Sequence, residues 1–180
     1  MSQALLIIDI QNDYFKGGAM ELVGSREAAA KARQLLQTFR QRGRPVFHVQ
    51  HLAARPEATF LLPGTPGAEI HPEVAPQGDE PIFQKFYPNS FRDTGLLAAL
   101  RERGIKKLLV TGMMTHMCVD TTVRAAFDLG FTCTLAADAC ATRALEFGGV
   151  TVPAEEVQVA YLAALNGVFA RVLPVAEIIP

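Results

Sequence analysis

The segment Ala4-Leu5-Leu6-Ile7-Ile8-Asp9-Ile10-Gln11-Asn12-Asp13 opens with five uninterrupted apolar residues and then turns polar at a single carboxylate. A half-exposed strand would alternate apolar and polar side chains. An unbroken run of this length suits a strand buried on both faces, as in a parallel sheet covered by helices on each side. Asp9 then stands where the strand leaves the sheet. In open parallel sheets ligands bind outside the carboxyl ends of the strands, so this decapeptide sets both the fold class and the edge at which chemistry is expected.

The rest of the chain repeats the alternation. Between residues 27 and 42, Ala28, Ala32, Leu35, Leu36 and Phe39 recur at helical spacing, and Gly43 supplies a stop. Residues 45–49 read as a second strand, 94–103 as a short helix, and 107–110 as a strand that runs into Gly112. A helix over 117–129, a strand over 131–136 and a helix over 153–169 opened by Pro153 follow. Residues 171–173, extended by 175–179, close the series as strand. Strands alternating with helices imply a doubly covered α/β sheet with right-handed crossovers. Residues 52–84 stand apart, because seven prolines and glycines before Gly78 (Pro56, Pro63, Gly64, Pro66, Gly67, Pro72, Pro76) break them without sustained periodicity. Connections are usually about 4–6 residues, so a stretch this long is expected to be a loop over a site.

The 180 residues, 49% of them hydrophobic, fit one domain over 1–180 with ample material for a core. Lys+Arg 17 against Asp+Glu 18 leaves a net charge of −1, and no basic run could track a phosphate backbone, which argues against nucleic acid as a partner. No apolar segment approaches the roughly 18 residues of a membrane span; the longest candidate, 157–170, contains Gln158 and Asn166. The N-terminus has neither a basic leader region nor a small-residue cleavage site. Three cysteines, Cys118, Cys133 and Cys140, make an odd set in a chain that needs no stapling, so a disulfide framework is not expected and a reducing cytoplasm is.

Three residues can carry chemistry at the strand ends. Asp9 is one, although a carboxylate there can also cap a turn. Lys85, flanked by aromatics in Phe83-Gln84-Lys85-Phe86-Tyr87, is another, although lysines commonly lie on apolar surface with the ammonium in water. Cys118 sits where a strand, a glycine-led turn and a helix start are expected. A free cysteine is often a small core residue, but a helix N-terminus is expected to lower its pKa and make it nucleophilic.

Four strings taken in order resemble the isochorismatase-like cysteine hydrolases. They are Leu6-Ile7-Ile8-Asp9-Ile10-Gln11-Asn12-Asp13-Tyr14-Phe15, Gly64-Thr65-Pro66-Gly67-Ala68-Glu69-Ile70-His71-Pro72, Lys85-Phe86-Tyr87-Pro88-Asn89-Ser90-Phe91, and the run from Val110-Thr111-Gly112-Met113-Met114 through Thr115-His116-Met117-Cys118-Val119-Asp120 to Thr122. The resemblance covers residues 4–141. It implies a Rossmann-like three-layer fold with a six-stranded parallel sheet, a cis peptide between Met113 and Met114 that turns the Met114 N–H toward the site, and a triad of Asp9, Lys85 and Cys118.

The triad is chemically coherent. Cys118 would attack an acyl carbon to give a thioester, with Asp9 taking the thiol proton and passing it to the departing amine. Lys85 would offset the charge of Asp9 and favour the thiolate. The N–H groups of Met114 and Cys118 would hold the oxyanion, an effect of about 2.7–4 kcal/mol per donor. Water would then hydrolyse the thioester with Asp9 as base, and no organic cofactor is needed.

The nicotinamidase branch of this family carries a metal held by an Asp-x-His pair after the second strand and a further loop histidine. Aligned at the strand end and at Gly64-Thr65-Pro66-Gly67, this chain has His51, Ala53 and Phe60 in those places. One imidazole falls short of the three protein ligands a zinc site requires, so no metal is expected. Isochorismatases proper lack the nucleophilic cysteine, which moves the expectation toward amides, ureides or carbamoyl groups. Phe15, Tyr87, Met113, Met114 and His116 are the expected lining of a small-molecule pocket.

Other classes remain open. One is an isochorismatase-type hydrolase of another small substrate; another is a catalytically silent oligomeric binding module. A thiol redox enzyme would need a resolving thiol, and no Cys-x-x-Cys is present. The last long helix carries apolar residues well beyond one stripe, among them Val159, Tyr161 and Leu162. With the family's habit of forming dimers and tetramers, this leads to the expectation of a homo-oligomer.

Overall fold

A computed structural model of the chain describes residues 3–179. The apolar run forms β1 (Gln3–Ile8), the inner strand from which the sheet grows outward on both sides. It pairs in parallel with β2 (Val46–His51), Leu5 opposite Val46, and with β4 (Lys107–Met113), Leu5 opposite Leu109. The sheet continues through β3 (Ile82–Lys85) beyond β2, and through β5 (Thr132–Ala141) and β8 (Arg171–Leu173) beyond β4. Its order is β3-β2-β1-β4-β5-β8, and every pairing is parallel.

The two faces of β1 explain its unbroken apolarity. Leu5 and Ile7 pack against α1 (Ser25–Gln41) through Ala32, Leu35, Leu36 and Phe39. Ala4, Leu6 and Ile8 face the opposite layer, with Leu96 and Leu100 of α2 (Leu96–Glu102), Val123 and Ala126 of α3 (Asp120–Asp128), and Leu165 of α4 (Ala154–Leu165). Each fully buried Leu or Ile contributes about 1.5–3 kcal/mol relative to exposure. The three-layer, six-stranded expectation therefore holds.

One strand of the six differs from expectation. Residues 175–179 were expected as strand, but Val175–Ile178 form a short helix, α5, which starts after Pro174 with the Val175 N–H donating to Asp138 Oδ1 at 2.7 Å. The sixth strand of the sheet is β3, which lies inside the expected loop. It is a four-residue edge strand with only Lys85 buried, so it carries no apolar run to announce it. A hairpin of β6 (Leu145–Phe147) and β7 (Val150–Val152) also precedes α4.

Polar anchors fold the remainder of 52–84 onto the sheet edge. Asp13 accepts from the Leu61 N–H at 2.6 Å and from the Ala19 N–H at 3.1 Å. Gly67 lies so close to that carboxylate that any Cβ would strike it. Arg40 binds Glu80 through both Nε and Nη2 at 2.7 Å, and His48 Nε2 meets the same carboxylate at 2.9 Å. Burial opposes the charge on Glu80, but these partners and the Gln77 N–H hold its pKa at about 2.

Candidate active site

Asp9 follows β1 with a φ of +50°, a left-handed conformation that aspartate tolerates better than most side chains. Its N–H donates to Val49 O at 3.0 Å, and the residue is wholly buried. Lys85 ends β3 directly opposite His51 at the end of β2. Its buried ammonium lies 2.6 Å from Asp9 Oδ2 and 3.0 Å from His51 Nδ1, and donates to Tyr87 O at 3.1 Å. Three N–H groups thus meet three acceptors. The Asp9 contact is a salt bridge between two wholly buried side chains, and the ammonium is what holds this carboxylate.

Cys118 reaches the same point from β4. The Met113–Met114 peptide is cis. A π-helical turn, Thr115–Val119, then leads into α3, with Thr115 Oγ1 donating to Ala141 O at 3.1 Å. Cys118 Sγ, an Asp9 carboxylate oxygen and a His51 ring nitrogen lie within 4.8 Å of one another. The sheet edge therefore brings together Asp9, Lys85 and Cys118 from three separate strands.

The electrostatics correct one expectation. A helix start was expected to lower the pKa of Cys118, but burial pushes the thiol up to about 12, Asp9 adds to the rise, and Lys85 only partly opposes it. The resting group is a thiol. Burial would lower Lys85, yet Asp9 and Cys118 outweigh it and its pKa is raised, so the cation persists. Burial, then Lys85, lower the pKa of His51, which keeps the imidazole neutral. Cys133 and Cys140 are likewise raised to about 12 by burial.

Asp9, His51 and Cys118 do not suit a divalent metal. The Lys85 ammonium already lies against Asp9 and His51, and Ala53 and Phe60 offer no donor from the wall.

A cleft of about 300 Å³ opens above Cys118. Tyr14, Phe60, Leu61, Phe86, Met114 and Met117 give it an apolar wall, His51 is its inner polar group, and Arg55, Glu57 and Thr59 stand among its loop residues. Of the expected lining only Met114 is present. Phe15 stacks on His71 at 3.6 Å, Tyr87 lies under the Arg92 guanidinium at 3.5 Å, Met113 is fully buried in the core, and His116 bonds Thr142 and packs edge-on to Tyr161. Tyr14 and Phe86 escaped the sequence reading, and His51 entered it only as a remnant of a metal site. Gln11 escaped it too: its amide accepts from the His51 N–H and donates to His51 O, both at 2.8 Å, and so fixes the end of β2.

Comparison with known proteins identifies the fold's lineage. The sequence pattern of the isochorismatase domain matches residues 3–177. The isochorismatase family protein YddQ of Bacillus subtilis (strain 168) is 51% identical over 172 residues, 96% of each chain. The streptothricin hydrolase of Streptomyces noursei is 37% identical over 140 residues, which are 78% of this chain and 50% of that protein. The crystal structure of an isochorismatase hydrolase from Oleispira antarctica superposes with a TM-score of 0.95 at 50% identity, covering 98% of this chain and 95% of its own. The chain belongs to the isochorismatase family of hydrolases.

Proposed function

We propose that the protein hydrolyses a C–N bond (amide, ureide or carbamoyl) of a small molecule, through a Cys118 thioester and without an organic cofactor. The observation that carries this reading is a buried carboxylate, Asp9, paired with the Lys85 ammonium at 2.6 Å and within 4.8 Å of a protonated cysteine at the floor of a cleft. A relative that shares 37% of the aligned residues is named for hydrolysis of streptothricin. Asp9 takes the proton as Sγ forms its bond to the acyl carbon, so sulfur becomes nucleophilic only as it reacts. The tetrahedral oxyanion accepts from the N–H groups of Met114 and Cys118. Its collapse breaks the C–N bond while Asp9 protonates the amine. Water then attacks the thioester, giving its proton to Asp9, and the released acid leaves Cys118 as a thiol. Lys85 holds Asp9 in place and balances its charge throughout.

The test is acid-quenched mass spectrometry after mixing the protein with a panel of primary amides, ureides and carbamates. An acyl adduct on Cys118 is the expected result. A chain that turns over an amide with no adduct on Cys118, or that leaves the panel untouched with Cys118 inert, overturns the reading in favour of a silent binding module.

The protein's partners are read in the same way as a small-molecule substrate and a second copy of the chain. Phe147 at the hairpin tip is 90% exposed, and Val150 of β7 and Val159 of α4 are 64% and 67% exposed, apolar side chains that a homo-oligomer would cover. Sedimentation is expected to give a mass above 19.5 kDa, and Phe147→Asp to shift it toward the monomer. A wild-type chain that sediments only as monomer removes the assembly. Three free, buried cysteines accord with a cytoplasmic setting. Among the described residues no helix is long and apolar enough to cross a membrane.

A further inference from the structure

The bonds around Lys85 decide the tautomer of a neighbouring ring. An ammonium has three donors and no acceptor, so at the 3.0 Å contact with Lys85 Nζ the His51 Nδ1 must be the acceptor. A neutral imidazole that accepts at Nδ1 carries its proton on Nε2. Among the described residues no group bonds that second nitrogen, and the ring is part of the cleft wall beside Cys118. Gln11 clamps the His51 backbone through its N–H and its carbonyl, and the Lys85 contact holds the ring itself. Next to it the wall is apolar, with Phe60, Leu61 and Phe86.

We infer that His51 is the substrate-orienting donor of the cleft, its Nε2–H selecting molecules that carry a hydrogen-bond acceptor, such as a second carbonyl or ureido oxygen, beside the scissile amide. This assignment rests on the hydrolase reading for its meaning, since the acceptor is positioned relative to the carbon that Cys118 attacks. Lys85 thereby has two tasks: one N–H serves Asp9 and another sets which face of His51 the substrate meets. A net neutral–neutral hydrogen bond of this kind is worth roughly tenfold in affinity.

The experiment uses the Cys118→Ala protein labelled with ¹⁵N-histidine, and two probes of similar shape, malonamide and isovaleramide, of which the first has a second carboxamide, with its carbonyl acceptor, where the second has an isopropyl group. His51 is assigned by the signal lost in His51→Gln. The expected result is a neutral ring with the proton on Nε2 that does not titrate near the ordinary histidine value of about 6.5, and a proton no longer fixed on Nε2 once Lys85→Met removes the donor. Malonamide is expected to bind about tenfold more tightly than isovaleramide and to displace the Nε2–H resonance. That preference should vanish in His51→Phe and survive in His51→Gln, whose amide keeps a donor in nearly the same place. A proton on Nδ1, equal affinities, binding of neither probe, or a preference that persists in His51→Phe overturns the inference. If the ring behaves as stated but no adduct ever forms on Cys118 in the native protein, the hydrolase reading fails while the donor assignment stands.

Discussion

Cys118→Ala is expected to lower kcat for whichever amide the protein hydrolyses by about 10⁴-fold or more, because removing the nucleophile of a covalent mechanism leaves only binding and oxyanion stabilisation. The folded state should change little, since the thiol is a small buried side chain whose loss costs about 1 kcal/mol. Activity and a urea titration of the same preparation separate the two effects. A variant that folds and keeps a tenth of the wild-type rate would remove Cys118 from the mechanism. The raised thiol pKa gives a second readout. With a pKa of about 12, the thiolate fraction at neutral pH is minute, so alkylation of Cys118 by iodoacetamide should rise about tenfold per pH unit from roughly pH 7 to 10 without a plateau. Hydrolysis should not follow that slope, because Asp9 removes the proton within the reaction itself. A plateau near the ordinary thiol pKa would mean that the resting sulfur is already ionised.

The layout of the chain was legible wherever burial was two-sided. The run from Ala4 to Ile8 could be placed because both of its faces meet helices. The strand that delivers Lys85 could not: Ile82 and Gln84 are exposed and Phe83 is only half-buried, so an edge strand of four residues looks like the loop around it. The site shows the same limit at finer grain. The cleft is lined by Tyr14 where Phe15 was expected, Phe86 where Tyr87 was expected, and Met117 where His116 was expected, each one residue away. In extended chain a step of one residue turns a side chain to the opposite face, and in the short turn at Asn12–Tyr14 or the π-turn at Thr115–Val119 no repeat exists to fix the phase. Motif strings located the three polar groups because their spacing along the chain is read directly. The thiol's pKa was misjudged for a different reason: the sequence indicates a turn before a helix but not that the sulfur would lie 5% exposed beneath it.

Lys85→Met is expected to cost about 3–5 kcal/mol of folding stability, the usual range when one partner of a buried ion pair is removed and the other charge is left behind. Both side chains of the Asp9–Lys85 pair are fully buried, and among the described residues no other cation pairs with the Asp9 carboxylate. The ammonium also serves His51 and Tyr87 O, so the loss strands two further acceptors. Adding Asp9→Asn to Lys85→Met removes the orphaned charge, and the double variant should recover most of the loss, a coupling that a urea titration of the wild type, the two single variants and the double variant resolves. Strictly additive losses would show that the pair acts through separate contacts. The pH dependence carries a sign as well. A cation whose folded pKa is raised contributes its stability fully below its unfolded value, near 10.5, and loses it only as pH climbs through the folded value, so the Lys85 contribution is constant across neutral pH. The three thiols, raised to about 12, act in the same alkaline window: the unfolded chain ionises from about pH 9 while the folded one does not, which removes about 1.4 kcal/mol per thiol per pH unit above that point. Wild-type stability should therefore stay level from neutrality to about pH 9 and fall steeply beyond it, whereas the deficit of Lys85→Met, which comes from an unpaired Asp9 carboxylate, should already be present at neutral pH.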